Sequence, residues 1–321
     1  LRLDIEEMKL KLITMFAFML LITACNGQQK NNKANPASGD KTFKLPEIPS
    51  VITSPSERAA YLVAHYWDNF NFLDTSLVHM PDISEQALCN YIDALRYGTA
   101  EDDSLSIMTM LHKASADSTM YGYFVKLYEK YLYDPNSPQR NENLYIYVLR
   151  SMLAEPVLSP VNKIRPQSLL DLAVKNRIGS KATDFTYTLS NGSSKKMSML
   201  KTDYLFLYFY DPECENCKKV TEEMKSSNLL REAIAAGKVK ILCVYPDEDM
   251  AAWHRHLSNL PSEWINSYDH TISIKNNQIY DLKAMPTIYL LDKDKIVLLK
   301  DCTLPELENF LGSRLGLTKT K

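Results

Sequence analysis

The chain has 321 residues, 45% of them hydrophobic and 24% charged, with a formal net charge of −2. That balance belongs to an ordinary globular protein. Neither the net charge nor any local run is basic enough for a nucleic-acid footprint, so no nucleic-acid partner is expected.

The first stretch reads as a targeting segment. Met8-Lys9-Leu10-Lys11 is a basic start, Leu12 to Ala24 is a short hydrophobic run, and small residues precede Cys25 in Ile22-Thr23-Ala24-Cys25. Spanning a bilayer takes about 20 apolar residues, more than this run offers. The pattern resembles a bacterial lipoprotein signal, residues 1–24, with cleavage before Cys25 and lipid on that thiol. An ordinary secretory signal followed by an incidental cysteine is the alternative. Residues 25–50 are polar and rich in Asn, Gln, Lys and Pro. They offer little surface to bury and are expected to act as a tether between membrane and core.

Once leader and tether are set aside, about 270 residues remain, enough for two domains. Residues 51–175 read as all-helical. Ser54-Pro55-Ser56-Glu57 offers a capped start, and Tyr61, Leu62, Ala64, Trp67 and Phe70 recur at helical spacing. Further helices are predicted over Ser84–Tyr97, Ser104–Ala114, Ser118–Tyr131, Asn141–Ala154 and Gln167–Lys175, separated by turns at Pro81, Gly98, Asp134-Pro135-Asn136 and Pro160. Seven tyrosines between Tyr121 and Tyr147 fit core and loop packing, with a binding groove as the other reading. His65 and His79 have no companions at metal-ligand spacing.

Residues 176–321 alternate strand and helix signals. A hairpin is expected around Asn191-Gly192, joining Tyr187–Leu189 to Lys196–Met199. Tyr204 to Tyr210 is uncharged and apolar, as in a strand buried on both faces. Asp211-Pro212 ends it, and good helix formers follow from Cys214 to Met224. Val239–Tyr245 reads as a second buried strand, with Asp247 expected to cap a helix through Asn259. Ile288–Leu291 and Ile296–Leu299 flank a short turn, and Leu304–Leu311 closes the chain as a helix. The expectation is a mixed sheet with helices on both faces.

The chemistry concentrates at Cys214-Glu215-Asn216-Cys217. A helix N-terminus carries unpaired N–H groups and the positive end of the helix dipole, so it favours a thiolate at Cys214. A second thiol three residues on shares the helical face and can reach a disulfide with it. Cys214 is the expected attacking thiol and Cys217 the resolving one. Of the remaining cysteines, Cys243 and Cys302 lie in or beside strands and read as small buried hydrophobes, while Cys89 is assigned no role. Structural zinc needs two ligands beyond one CxxC. No second CxxC is present, and His254 with His256 is the closest histidine pair, so no metal or other cofactor is expected.

These motifs, in this order, resemble the thioredoxin superfamily, and within it the TlpA-like envelope thiol–disulfide oxidoreductases, with an extra N-terminal helical domain. The resemblance is carried by Ala182-Thr183-Asp184-Phe185, the strand ending in Cys214-Glu215-Asn216-Cys217, and Met285-Pro286-Thr287 before the strand Ile288–Leu291. It covers the chain from about Asn176 onward. It implies a thioredoxin-like α/β domain after the all-helical one, and a cis-proline at Pro286 facing the redox pair and shaping the docking surface. It also implies protein thiol or disulfide substrates and an envelope electron donor. Two positions depart from the family pattern: Glu213 replaces a customary tryptophan, and Tyr208 stands where thioredoxins proper keep a buried aspartate.

The expected function is disulfide exchange with proteins at the bacterial envelope, as reductase or isomerase. Asp211, Glu213 and Glu215 crowd negative charge around Cys214 and oppose its thiolate, which places the couple toward the reducing end. Two other classes remain open. A binding lipoprotein whose helical domain recognises a partner would leave Cys214 inert. A peroxidase would consume peroxide, although the threonine of the peroxiredoxin PxxxTxxC pattern is absent from Tyr208-Phe209-Tyr210-Asp211-Pro212-Glu213-Cys214.

Overall fold

The computed structural model describes residues 41–316. The expected leader, Cys25 and the first part of the expected tether lie outside the described residues. The later part of that tether is packed. The Phe43 ring stacks on Tyr66 at 5.1 Å and meets Trp67 edge-on at 5.5 Å, while the Asn69 side chain donates to the Lys44 and Leu45 carbonyls at 3.3 and 3.2 Å. One aromatic residue in a polar stretch suffices to dock it, because an aromatic cluster is there to receive it.

Six α-helices follow among the described residues: α1 (Pro55–His65), α2 (Ser84–Leu95), α3 (Ala100–Ala114), α4 (Ser118–Tyr128), α5 (Glu142–Ala154) and α6 (Pro160–Ala173). They close around Trp67, Tyr91, Phe124 and Tyr128, all buried. Two starts differ from expectation, and caps explain both. Thr99 and Asp102 form a reciprocal capping box, so α3 begins at Ala100 rather than Ser104. Ser159 caps α6 with Pro160 in its first turn, so that proline opens the helix instead of separating it from its neighbour. Tyr121, Tyr128 and Tyr145 are buried in this core and Tyr123, Tyr131, Tyr133 and Tyr147 pack around it, as the packing reading of the tyrosines requires.

The α/β half contains β1 (Thr186–Leu189), β2 (Ser194–Lys196), β3 (Tyr204–Phe209), α7 (Glu215–Ser226), α8 (Asn228–Ala235), β4 (Val239–Tyr245) and α9 (Met250–His256). It continues with β5 (Ile265–Tyr268), α10 (Ser273–Asn276), β6 (Thr287–Asp292), β7 (Val297–Lys300) and α11 (Leu304–Leu315). The seven strands lie in the order β2-β1-β5-β4-β3-β6-β7. β3 is parallel to β4 and β4 to β5, whereas β6 is antiparallel to β3 and the hairpin partners are antiparallel to each other, so the sheet is mixed as expected.

Alternation along β3 sorts its side chains to the two faces. Phe206, Tyr208 and Tyr210 meet residues of α7, α8, α9 and α11, and Leu205, Leu207 and Phe209 meet Phe185, Ile274 of α10 and Tyr280. The Asn191-Gly192 turn forms with Gly192 at φ 81°, a conformation glycine adopts without steric cost. The strand after it, Ser194–Lys196, pairs only as far as Lys196, and Met197–Met199 then coils into a 3₁₀ turn. The expected cap at Asp247 is displaced by two residues. Asp249 accepts the Ala252 N–H and caps α9, and Asp247 instead pairs with Lys275. β5 was not anticipated, since Ile265-Asn266-Ser267-Tyr268 carries two polar residues; Ser267 is buried there with its hydroxyl on the Cys243 carbonyl at 2.8 Å.

Charged side chains join the helical and α/β halves. Lys300 Nζ, at the end of β7, lies 2.9 Å from Glu142 Oε2 and donates to the Ala173 and Lys175 carbonyls at 3.0 and 2.9 Å. Arg140 reaches Asp301 from the loop before α5.

Candidate functional site

The register of the central sheet builds the site. Phe209, the last residue of β3, lies opposite Thr287, the first of β6. The segments running on from them, Tyr210 to Cys214 on one side and Met285-Pro286 on the other, therefore arrive at the same end of the sheet.

Cys214 is the N-cap of α7. Its backbone is extended (φ −72°, ψ 121°) and its Sγ accepts the Cys217 N–H at 3.4 Å. The sulfur thus stands at unpaired N–H groups of a first helical turn, where negative charge is favoured. The same Sγ lies 3.6 Å from the Met285 carbonyl oxygen, and the Asn216 amide donates to that oxygen at 3.4 Å. The Met285–Pro286 peptide is cis. Pro286, distant in sequence, is thereby brought to the same end of the sheet as Cys214 and Cys217.

Cys214 is half-buried and Cys217 fully buried, at 2% exposure. Neither is bonded to another sulfur. Burial pushes the Cys217 thiol far above the usual thiol range, since no compensating charge replaces the water it loses. Behind it, the Tyr208 hydroxyl donates to the Cys217 carbonyl at 2.9 Å and lies 3.0 Å from Thr221 Oγ1. Burial raises the Tyr208 phenol as well, so it is a hydrogen-bonding group at neutral pH.

The carboxylates near Cys214 are not the bare cluster their spacing suggests. Glu213 pairs with Arg255 at 3.0 Å, Glu215 with Lys218 at 2.6 Å, and Asp211 Oδ1 accepts the Glu213 N–H at 2.8 Å. Exposed pairs of this kind are weak individually, but they offset the repulsion a thiolate would meet. Arg255, Asn216 and Thr221 escaped the sequence reading: their partners are set by where α7 and α9 pack. For Thr221 alone a signal existed, its position one helical turn beyond Cys217.

His254 and His256 fall in the last turn of α9, where the His256 ring lies 2.9 Å from the Ala252 carbonyl. Among the described residues no cluster of three or more histidine, cysteine, aspartate or glutamate side chains could hold a metal ion.

Two family models match the chain. One, described as a domain of unknown function (DUF5106), covers residues 23–176, and the other, described as thioredoxin-like, covers residues 202–297. A thioredoxin-like protein from Bacteroides caccae is 46% identical in a match covering 84% of this chain and 98% of that one, with a TM-score of 0.80. The C-terminal domain of an uncharacterized Bacteroides fragilis protein is 43% identical over 43% of this chain and 99% of its own, with a TM-score of 0.43. The thioredoxin domain of a thiol–disulfide oxidoreductase from Bacteroides vulgatus is 21% identical over 43% and 97%, with a TM-score of 0.39. No curated protein matches.

Proposed function

This chain belongs to the thioredoxin-like proteins, and we propose that within them it is a thiol–disulfide oxidoreductase of the bacterial cell envelope, exchanging disulfides with protein substrates through Cys214 and Cys217. The observation that carries the reading is the pairing of a half-buried sulfur on the first turn of α7 with a buried thiol three residues on.

In the reducing direction, the Cys214 thiolate attacks a substrate disulfide. A Cys214–substrate bond forms, the substrate S–S bond breaks, and the departing sulfur takes up a proton. Cys217, after losing its proton to the departing sulfur or to water, then attacks Cys214 Sγ. The Cys214–Cys217 bond forms, the mixed disulfide breaks, and the second substrate sulfur leaves as a thiol. Two electrons have passed to the substrate, and an envelope electron donor must return them. Pro286 and the Met285 carbonyl shape the surface on which the substrate docks beside Cys214.

Residues 1–24 direct export, and lipid on Cys25 holds the protein at the membrane, facing the periplasm. Replacing Cys25 with alanine should move the protein from the membrane to the soluble fraction.

The deciding experiment is titration of the Cys214–Cys217 couple in glutathione buffers, with Cys214→Ser as control. A reversible couple between about −180 and −300 mV that vanishes in the control supports exchange. A chain with no titratable couple would lose this reading. A couple as oxidising as about −120 mV would remove the reductase or isomerase assignment. Cys217→Ser should accumulate mixed disulfides with substrate proteins, because nothing then resolves the bond at Cys214.

A further inference from the structure

Arg140 belongs to the helical half and stands 161 residues from its partner, Asp301, in the sequence. Its guanidinium makes two contacts there, Nη1 to Asp301 Oδ2 at 2.6 Å and Nη2 to the Asp301 carbonyl at 2.9 Å. A two-pronged contact of this kind fixes orientation as well as distance. Asp301 Oδ2 is shared with Lys283 Nζ at 3.1 Å, and Lys283 in turn binds Asp281 Oδ2 at 2.7 Å. Asp281 Oδ1 accepts the Lys283 N–H at 3.2 Å, and the Lys283 ammonium lies 5.3 Å from the centre of the Tyr133 ring, again from the helical half.

Lys283 is two residues before Met285, whose carbonyl contacts Cys214 Sγ. The chain of contacts therefore runs from the helical half through Asp301 and Lys283 into the loop that faces the sulfur. Burial alone would depress the Lys283 ammonium, but Asp301 and Asp281 outweigh it and hold the group above its ordinary range. Side chains of Arg140, Lys283 and Asp301 are 27%, 14% and 21% exposed, so water screens these pairs far less than surface ones. All three are among the residues lining a cavity of about 430 Å³.

We propose that Arg140 is a positioning residue for the thiol site: through Asp301 and Lys283 the helical half clamps the 281–286 loop and sets where the Met285 carbonyl meets Cys214. The helical domain is then part of the exchange machinery rather than only a spacer. This rests on the disulfide-exchange reading, and the test separates the two.

The full-length chain is compared with Arg140→Ala and with Arg140→Lys, which keeps the charge but not the fork. Asp301→Asn serves as the second disruption should Arg140→Ala fail to fold. Hydrogen exchange over residues 281–285 reads the clamp; the rate of insulin disulfide reduction and the equilibrium constant with glutathione read the positioning. In Arg140→Ala the loop amides should exchange about tenfold faster. Insulin reduction should slow, and the glutathione equilibrium constant should shift, by about threefold or more, with Arg140→Lys recovering part of each. Loop exchange at the wild-type rate in a folded variant overturns the clamp. Faster loop exchange with an unchanged rate and equilibrium constant overturns the positioning role. A wild-type chain with no Cys214-dependent exchange overturns the disulfide-exchange reading and the positioning role with it, while the hydrogen-exchange result still decides whether the clamp exists.

Discussion

The Tyr208 hydroxyl donates to the carbonyl oxygen of Cys217 across 2.9 Å, tying the central strand to the first turn of the helix that carries both cysteines. The Tyr208 hydroxyl also lies 3.0 Å from Thr221 Oγ1, and the Tyr208 ring stacks nearly parallel on Tyr210. Where an aspartate would bring a titratable charge beneath the resolving thiol, tyrosine brings a neutral hydroxyl. Tyr208→Phe keeps the ring and removes only that group. Leaving the Cys217 carbonyl without this donor should cost about 1–3 kcal/mol, read as a lower urea midpoint with an unchanged slope. Tyr208→Phe at wild-type stability would show that the bond carries no net weight.

Thiol reactivity should be sharply graded in the reduced, folded protein. Cys214 is half-buried, whereas Cys217 and Cys243 are buried and their thiols are pushed far above the usual range by loss of water. Burial also pushes the Cys302 thiol up to about 12, with Glu306 adding to it. Timed alkylation followed by peptide mass spectrometry should show Cys214 labelled before Cys217, Cys243 and Cys302, with Cys243 labelled only on unfolding. Early labelling of Cys243 would mean that the central sheet opens far more readily than its burial implies.

Asp103 gives the helical half a pH dependence. It is buried on α3 with Oδ1 lacking a hydrogen-bond partner among the described residues, and burial, reinforced by Asp102, raises its carboxyl to about 6. The fit is tight, since a Cβ at Gly98 would stand 2.4 Å from that oxygen. Because the folded pKa is above the unfolded one, the folded state retains a proton that the unfolded chain has already released. Stability from this group is therefore complete below about pH 4 and lost as pH rises to about 6. Asp103→Asn should be more stable than wild type at pH 8 by on the order of 1–3 kcal/mol and nearly equal at pH 4. Urea denaturation at the two pH values reads the difference.

Phe43 makes the docking of the segment before α1 testable. Its half-buried ring contacts Tyr66, Trp67 and Phe70. Phe43→Ala should lower stability by about 1–2 kcal/mol and expose the 43–52 segment to limited proteolysis. Unchanged cleavage would place the weight of that docking on the Asn69 bonds instead.

How much of this was legible in the sequence follows from how local each signal is. The apolar run of β3, the Asp211-Pro212 break and the helix formers beyond Cys214 all act over a few residues, so the strand-to-thiol turn could be read directly. Cap placement is nearly as local, yet it turns on a choice between similar residues: Asp247 and Asp249 compete, and packing of Trp253 against Tyr268 goes with the second. β5 hid because a strand pairing on both sides can carry buried polar residues when a neighbouring carbonyl receives them. Arg140 with Asp301 and Glu213 with Arg255 had no signal at all, since charged residues this far apart are paired by topology alone.

Lys300 turns the sequence boundary between the halves into a shared joint. Its ammonium closes the free carbonyls at the end of α6 while holding Glu142 of α5, and its side chain is only 6% exposed. A fragment beginning at residue 176 would keep every strand of the sheet but leave this cation without three of its acceptors, and in the excised half α6 would lose the group that closes its end. Neither piece is the intact protein minus a passenger. Cutting between them creates two new surfaces, each bearing charge that the other had neutralised.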